Sequence, residues 1–220
     1  MKRYPQQGTS SGFSLIEVLI TMVIVGIGLL AAASLQLNAR KTTRESAERS
    51  YATQMAQELS ERMRGNGDQL ALYRNGIKSL SNDSGKAPPA PPKDCAVATN
   101  NCTSTELVAY DISQWWRAVN GGTTTASGEN VGGLTDPTAC LQYTGNCQFT
   151  IALAWKGASP LNASGEATSP QSNVCGLDRL KAYDDPDSGD LGDDARLRRL
   201  VVVQTYIPPL SANTACPPIN

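Results

Sequence analysis

From Phe13 to Ala39 the chain is apolar at almost every position and has no polar face. The run FSLIEVLITMVIVGIGLLAAASLQLNA carries one formal charge, Glu17. The 22 residues from Val18 to Ala39 hold none; at ~1.5 Å rise per residue, a helix of that length crosses a bilayer core of ~30 Å. After Arg40 the helical pattern continues but becomes one-sided. Ala52, Met55, Ala56, Leu59 and Met63 fall at i, i+3, i+4, i+7 and i+11, a single apolar stripe. Opposite charges recur four apart at Lys41/Glu45, Arg44/Glu48, Glu45/Arg49 and Glu58/Arg62, as on an exposed helical face. Proline is absent from Phe13 to Arg64, and Gly65-Asn66-Gly67 supplies a stop. The pattern predicts one helix, on the order of 75 Å long. Its first half, 13–39, suits apolar surroundings, and its second half, 40–64, suits half-burial against a domain formed by 65–220.

Within that domain, Thr103-Ser104-Thr105-Glu106 fits a capping box. The helix it opens carries the apolar stripe Val108, Ile112, Trp115 and Val119 and ends at Gly121-Gly122. Trp115 and Trp116 read as core or core-edge aromatics. Residues 148–155 alternate, with Phe149, Ile151, Leu153 and Trp155 on one side; residues 200–207 are rich in valine and close at Pro208-Pro209. Ala139–Tyr143 reads as a third strand and Asn130–Leu134 as a weaker fourth. The Pro-rich stretch 86–93 reads as a surface loop. These parts predict an α+β fold, an antiparallel sheet packed on the second half of the long helix.

Composition narrows the chemistry. The chain of 220 residues has net charge −1, 40% apolar residues and no histidine. Absence of histidine excludes His-dependent triads and His-ligated metals, and no other catalytic constellation stands out, so an enzyme is not expected. The acidic stretch from Asp184 to Asp194 lacks the spacing of an EF-hand loop; it reads as a solvated loop facing Arg196, Arg198 and Arg199, and neither metal nor cofactor is expected. Six cysteines, Cys95, Cys102, Cys140, Cys147, Cys175 and Cys216, lie in the domain. Zinc would call for C-x2-C pairs or histidines, so disulfides in an oxidising compartment are expected. Of the 15 pairings that six cysteines allow, the repeated C-x6-C spacing favours Cys95 with Cys102, Cys140 with Cys147 and Cys175 with Cys216.

Ahead of the apolar run stands a short polar leader, MKRYPQQGTSSG, basic through Lys2 and Arg3. A plain signal anchor and a secretory signal peptide cut after Ala33, in Ala31-Ala32-Ala33, are both open readings. The carboxylate inside the run and the helical pattern beyond Ser34 count against the second. Gly12-Phe13-Ser14-Leu15-Ile16-Glu17, however, closely resembles the class III signal of type IV prepilins and pseudopilins. That resemblance implies removal of residues 1–12 by a prepilin peptidase, with cleavage between Gly12 and Phe13 and N-methylation of Phe13. The mature chain would keep 17 basic against 20 acidic residues, formal charge −3, which disfavours non-specific binding of nucleic acid. Glu17 has its own physical logic. A carboxylate in a membrane helix costs ~2.5–3.5 kcal/mol on insertion scales and demands a partner. The Phe13 amine of a neighbouring subunit would supply one.

Asp111-Ile112-Ser113-Gln114-Trp115, the Gly-rich turn after it, the strand ending in Trp155 and the late valine-rich strand are similar to the PilV group of minor pilins, the type IV pilus modification proteins. That resemblance implies a structural subunit that primes pilus assembly or sits at the tip. Implied partners are other minor pilins, the major pilin, prepilin peptidase and a tip adhesin, with adhesion and twitching motility as the processes served. The chain would first sit in the inner membrane as a single-pass protein with a periplasmic domain, then in the extracellular pilus. A type II secretion minor pseudopilin carries the same signal. A secreted binding domain or enzyme released after Ala33 is the alternative from another class.

Overall fold

A helix survives 51 residues only where no proline or cap interrupts it, and α1 (Leu15–Gly65) runs unbroken as the pattern predicts. The computed structural model describes residues 12, 14–83, 86–124, 130–160, 175–183, 197–211 and 216. It divides into two compact units, Met1–Thr43 and Arg44–Asn220, and α1 contributes to both. In the first unit α1 is exposed all round. Three of its hydroxyls bond back to the helix: Thr21, Thr42 and Thr43 donate to the carbonyls of Val18, Asn38 and Ala39 at 2.9, 3.1 and 2.8 Å. Such back-bonding hides a polar group that an apolar medium would otherwise leave unsatisfied.

In the second unit α1 buries Ala52, Met55, Ala56, Leu59, Ser60 and Met63, the predicted stripe with one serine added. A 3-10 turn at Gly67–Gln69 leads into a short helix, α2 (Leu70–Gly76), that the apolar pattern did not announce. The sheet against this stripe is four-stranded and antiparallel in the order β1-β4-β5-β6, with β1 Leu80–Ser81, β4 Thr138–Gly145, β5 Gln148–Lys156 and β6 Arg198–Tyr206. The α+β architecture, a long helix on an antiparallel sheet, is therefore as expected. The weak fourth strand differs: only Asn130–Val131 (β3) is extended, and it pairs with Thr123–Thr124 (β2) in a separate small sheet.

The third helix, α3 (Ser104–Val119), starts at the predicted capping box. Thr103 accepts from the Glu106 amide at 3.2 Å while the Glu106 carboxylate accepts from the Thr103 amide at 2.8 Å. Its stripe and both Trp115 and Trp116 are buried. Two indoles lock onto α1: Trp115 Nε1 donates to the Met55 carbonyl at 2.8 Å, and Trp155 Nε1 to Glu48 at 3.2 Å. Each tryptophan thus buries its ring while its one donor is satisfied. The Pro-rich stretch lies in an irregular segment whose ends are held by ion pairs, Lys86 to Asp178 at 2.6 Å and Lys93 to Glu106 at 2.9 Å.

Strand β5 departs from the one-sided expectation, because both faces are buried. Phe149, Ile151, Leu153 and Trp155 join the core with α1 and α3. Ala152 and Ala154 pack instead with Cys140, Cys175, Tyr183 and Leu200. The cover on that second face is the segment Leu177–Tyr183. Arg179 clamps it, donating to Asp83 at 2.8 and 3.0 Å and to Thr138 at 3.0 Å. The guanidinium holds the Asp83 carboxyl below its usual range.

The disulfides correct the sequential pairing. Cys95 bonds Cys102 as expected, but Cys140 bonds Cys175 and Cys147 bonds Cys216. Geometry forbids the expected Cys140–Cys147 bond. Extended β4 separates these residues, at ~3.3 Å per residue, by far more than the ~4.4–6.8 Å between Cα atoms that a disulfide spans. Cys95 and Cys102 lie either side of a 3-10 turn at Ala98–Asn100, which folds the chain back on itself.

Candidate assembly site on the N-terminal helix

The site begins at an exposed Gly12 and Ser14. Ser14 opens the helix: its carbonyl accepts from the amides of Glu17 and Val18 at 3.0 and 3.3 Å. Glu17 therefore stands in the first turn, where the helix dipole favours a carboxylate. Phe13 and the leader residues 1–11 lie outside the described residues, so the predicted cleavage junction has its Gly12 side and its helix start in view. The acidic stretch 184–194 and Arg196 also lie outside. Of the other two arginines expected to face it, Arg199 pairs with Glu45 at 2.9 Å and Arg198 donates to the Cys175 carbonyl.

From Leu15 to Leu37, fourteen large apolar side chains are between 47% and 79% exposed. An apolar surface of this extent on every side of a helix needs lipid or other helices to cover it. It is the one helix, among the described residues, long and apolar enough to span a membrane. Gly26 and Gly28 would meet no atom if they bore a Cβ, so packing inside this chain does not require them.

Beyond Thr43 the helix changes from an apolar rod to a bolted one. Of the predicted charge pairs, Arg44–Glu48 and Glu58–Arg62 form at 2.8 and 2.7 Å. Glu45 turns instead to the sheet, accepting from Arg199 at 2.9 Å and from the Ser159 amide at 3.2 Å. A further knot escaped the periodicity argument. Asp111 is buried and accepts from Tyr73 Oη at 2.5 Å and Arg62 at 3.0 Å, tying α3 to α2 and α1. Burial and this carboxylate push the Tyr73 hydroxyl far above its ordinary range. An aspartate inside an otherwise apolar helical stripe was the available signal.

The C-terminal chain closes on the end of α1. Ser211 donates from its amide and hydroxyl to Asp68 at 2.9 and 2.8 Å. The Pro208 carbonyl comes so close to Gly67 that a Cβ there would sit 2.9 Å from it. Cys147, in the β4–β5 turn with Asn146 (φ 59° and 50°), is fixed by its bond to Cys216 and by the Ile207 amide on its carbonyl. Among the described residues, no group of three or more acidic or cysteine side chains could hold a metal ion.

Two family models match the chain. Residues 9–33 match the prokaryotic N-terminal methylation motif, which takes in Gly12, Phe13 and Glu17. Residues 34–113 match the family described as type IV pilin Tt1218, from the middle of α1 into α3, taking in the buried Asp111. No curated protein and no solved structure gives a significant match to the chain.

Proposed function

We propose that this chain is a type IV pilin-like structural subunit and that it works as a minor pilin; the matches of residues 9–33 to the N-terminal methylation motif and of residues 34–113 to the type IV pilin Tt1218 family support the reading. Prepilin peptidase would cut between Gly12 and Phe13, and the new Phe13 amine would be methylated. Residues 13–39 would hold the precursor in the inner membrane, with the domain periplasmic, and then pack among the helices of other minor pilins and the major pilin. The observation that carries the reading is Glu17: a lone carboxylate within an apolar helix that is exposed on every side, four residues past Phe13 and inside the stretch that matches the methylation motif. In apolar surroundings a charge needs a counter-charge. The Phe13 amine of an adjacent subunit would supply it and set the axial register between helices.

The similarity of Asp111-Ile112-Ser113-Gln114-Trp115 to PilV-type pilins supports a place in a priming complex or at the tip, beside a tip adhesin. A type II secretion pseudopilin remains the neighbouring reading, with the same processing and the same role for Glu17. The continuous helix through Ala33 counts against release of a secreted domain or enzyme at that point.

The N-terminal mass of the mature protein tests the processing. Methyl-Phe13 is expected, and a chain beginning at Met1 or at Ser34 overturns the proposal. Glu17→Ala should abolish incorporation into fibres while leaving the thermal melt of the domain unchanged; normal incorporation overturns the assembly role. Immunogold labelling at fibre tips or at rare shaft positions is expected, and dense uniform labelling would make it the major subunit.

A further inference from the structure

Strand β6 is one edge of the four-stranded sheet, and its outer side can be read from the register. The Gly157 amide donates to the Leu197 carbonyl at 2.7 Å and the Ile207 amide to the Cys147 carbonyl at 3.0 Å. Between these two bonds the β5–β6 register runs without a shift. Antiparallel ladders alternate, so residues 199, 201, 203 and 205 turn their backbone groups to β5, whereas 200, 202, 204 and 206 turn theirs outward. Among the described residues, no hydrogen bond reaches the outward groups of Val202, Gln204 or Tyr206. Natural sheet edges are commonly guarded by lysine, proline, a bulge or a covering element. The run Leu200-Val201-Val202-Val203-Gln204-Thr205-Tyr206 has no charge, no glycine, no proline and no bulge, and only Pro208-Pro209 beyond it stops extension.

We infer that β6 is a docking edge which accepts an extended strand from a different protein chain. The opposite edge of the sheet argues against a second copy added head to tail, because β1 has two residues and β6 has nine. To meet the outward groups of Val202, Gln204 and Tyr206, the strand accepted brings a row of donors and acceptors over at least five residues. Its side chains follow the flanks of β6. On one flank Val201 and Val203 pack against the core with α1, so apolar residues fit there. On the other, Val202 packs against the second buried cluster, while Gln204 and Tyr206 are exposed beside Gln148 and Thr150 in an open groove, so polar uncharged residues fit at that end. Backbone bonding supplies the attachment, and the alternation supplies the selectivity. This inference rests on the sheet alone and stands whatever becomes of the N-terminal processing.

The test places a photo-crosslinking benzoylphenylalanine at Gln204 of the full-length chain, in cells that naturally produce it. The expected product joins residue 204 to another protein, within an uncharged stretch that alternates apolar and polar residues. Val202→Pro removes one outward amide and no bond to β5, so it should cut the yield at least tenfold with the three disulfides and melting temperature retained. Tyr206→Lys, at a side chain 57% exposed, leaves the backbone intact and puts a charge at the edge; it should do the same and serves if the proline variant fails to fold. Undiminished yield in a folded variant, a product only with a second copy of this chain, or no product at all overturns the inference.

Discussion

Residues 15–43 and 44–65 belong to one helix, yet they obey different rules. As far as Ala39 the first stretch is apolar around its whole circumference, and none of it is buried within the chain. The second shows one buried stripe, a charged opposite face, and side chains bolted to the sheet through Glu45 and Glu48. Backbone hydrogen bonding is the same in both, so it does not make the difference. What differs is the angular spread of apolar residues. An all-round apolar surface calls for an environment supplied from outside, while a stripe is satisfied by the chain's own domain.

The contrast is open to direct attack. Breaking the Cys147–Cys216 bond by a double change to serine should have the largest effect on the second region. On the chain-entropy estimate, a loop of 69 residues corresponds to about 4 kcal/mol of domain stability. Because Trp115, Trp116 and Trp155 are all buried in the domain, urea melts followed by tryptophan fluorescence report it alone. Helical circular dichroism of 15–43 in detergent should persist after the domain has melted. A matched pair of substitutions sharpens the point. Leu59→Ala empties a fully buried site and should lower domain stability by about 3 kcal/mol. Leu30→Ala, on a side chain 74% exposed, should leave the same melt within about 0.5 kcal/mol.

The smallest effect concerns pH. The Thr103 amide and hydroxyl, with Lys93, hold the Glu106 carboxyl down at about 2, against an ordinary 4.5. A carboxyl depressed in the folded state contributes stability that is complete above its unfolded value and lost as pH falls towards the folded one. Urea midpoints should therefore drop between about pH 4.5 and 2, and Glu106→Gln should flatten part of that drop. An unchanged slope would remove the capping carboxylate from the acid response.

How legible the molecule was depended on how local each cause is. The long helix, the capping box at Thr103 and Glu106, and strands β4, β5 and β6 are written in short-range periodicity and were read correctly to within a few residues. Helix α2 is only seven residues, too short to show a stripe. The pairing of Cys140 could not be read from spacing, because the repeat C-x6-C occurs once across a turn and once along a strand. The two-sided burial of β5 left a fainter mark: alanines at 152 and 154 stand where a solvent-facing strand would carry polar residues. The candidate site was marked by its residue types, Gly12, Phe13 and Glu17, which fall within the stretch that matches the methylation motif. The knot at Asp111 was not, since its partners Arg62 and Tyr73 come from distant parts of the chain.

The two crossed disulfides also bear on what happens when such a domain is stretched. Tension entering through the long helix would peel the domain from one end, yet the bond from Cys147 to Cys216 short-circuits 69 residues. At ~3.4 Å per residue that withholds about 230 Å of slack from any pull that runs through the chain to its tail. Oxidised, the sheet can lose its shape under force without paying out its length; reduced, the same amino acids become a spring.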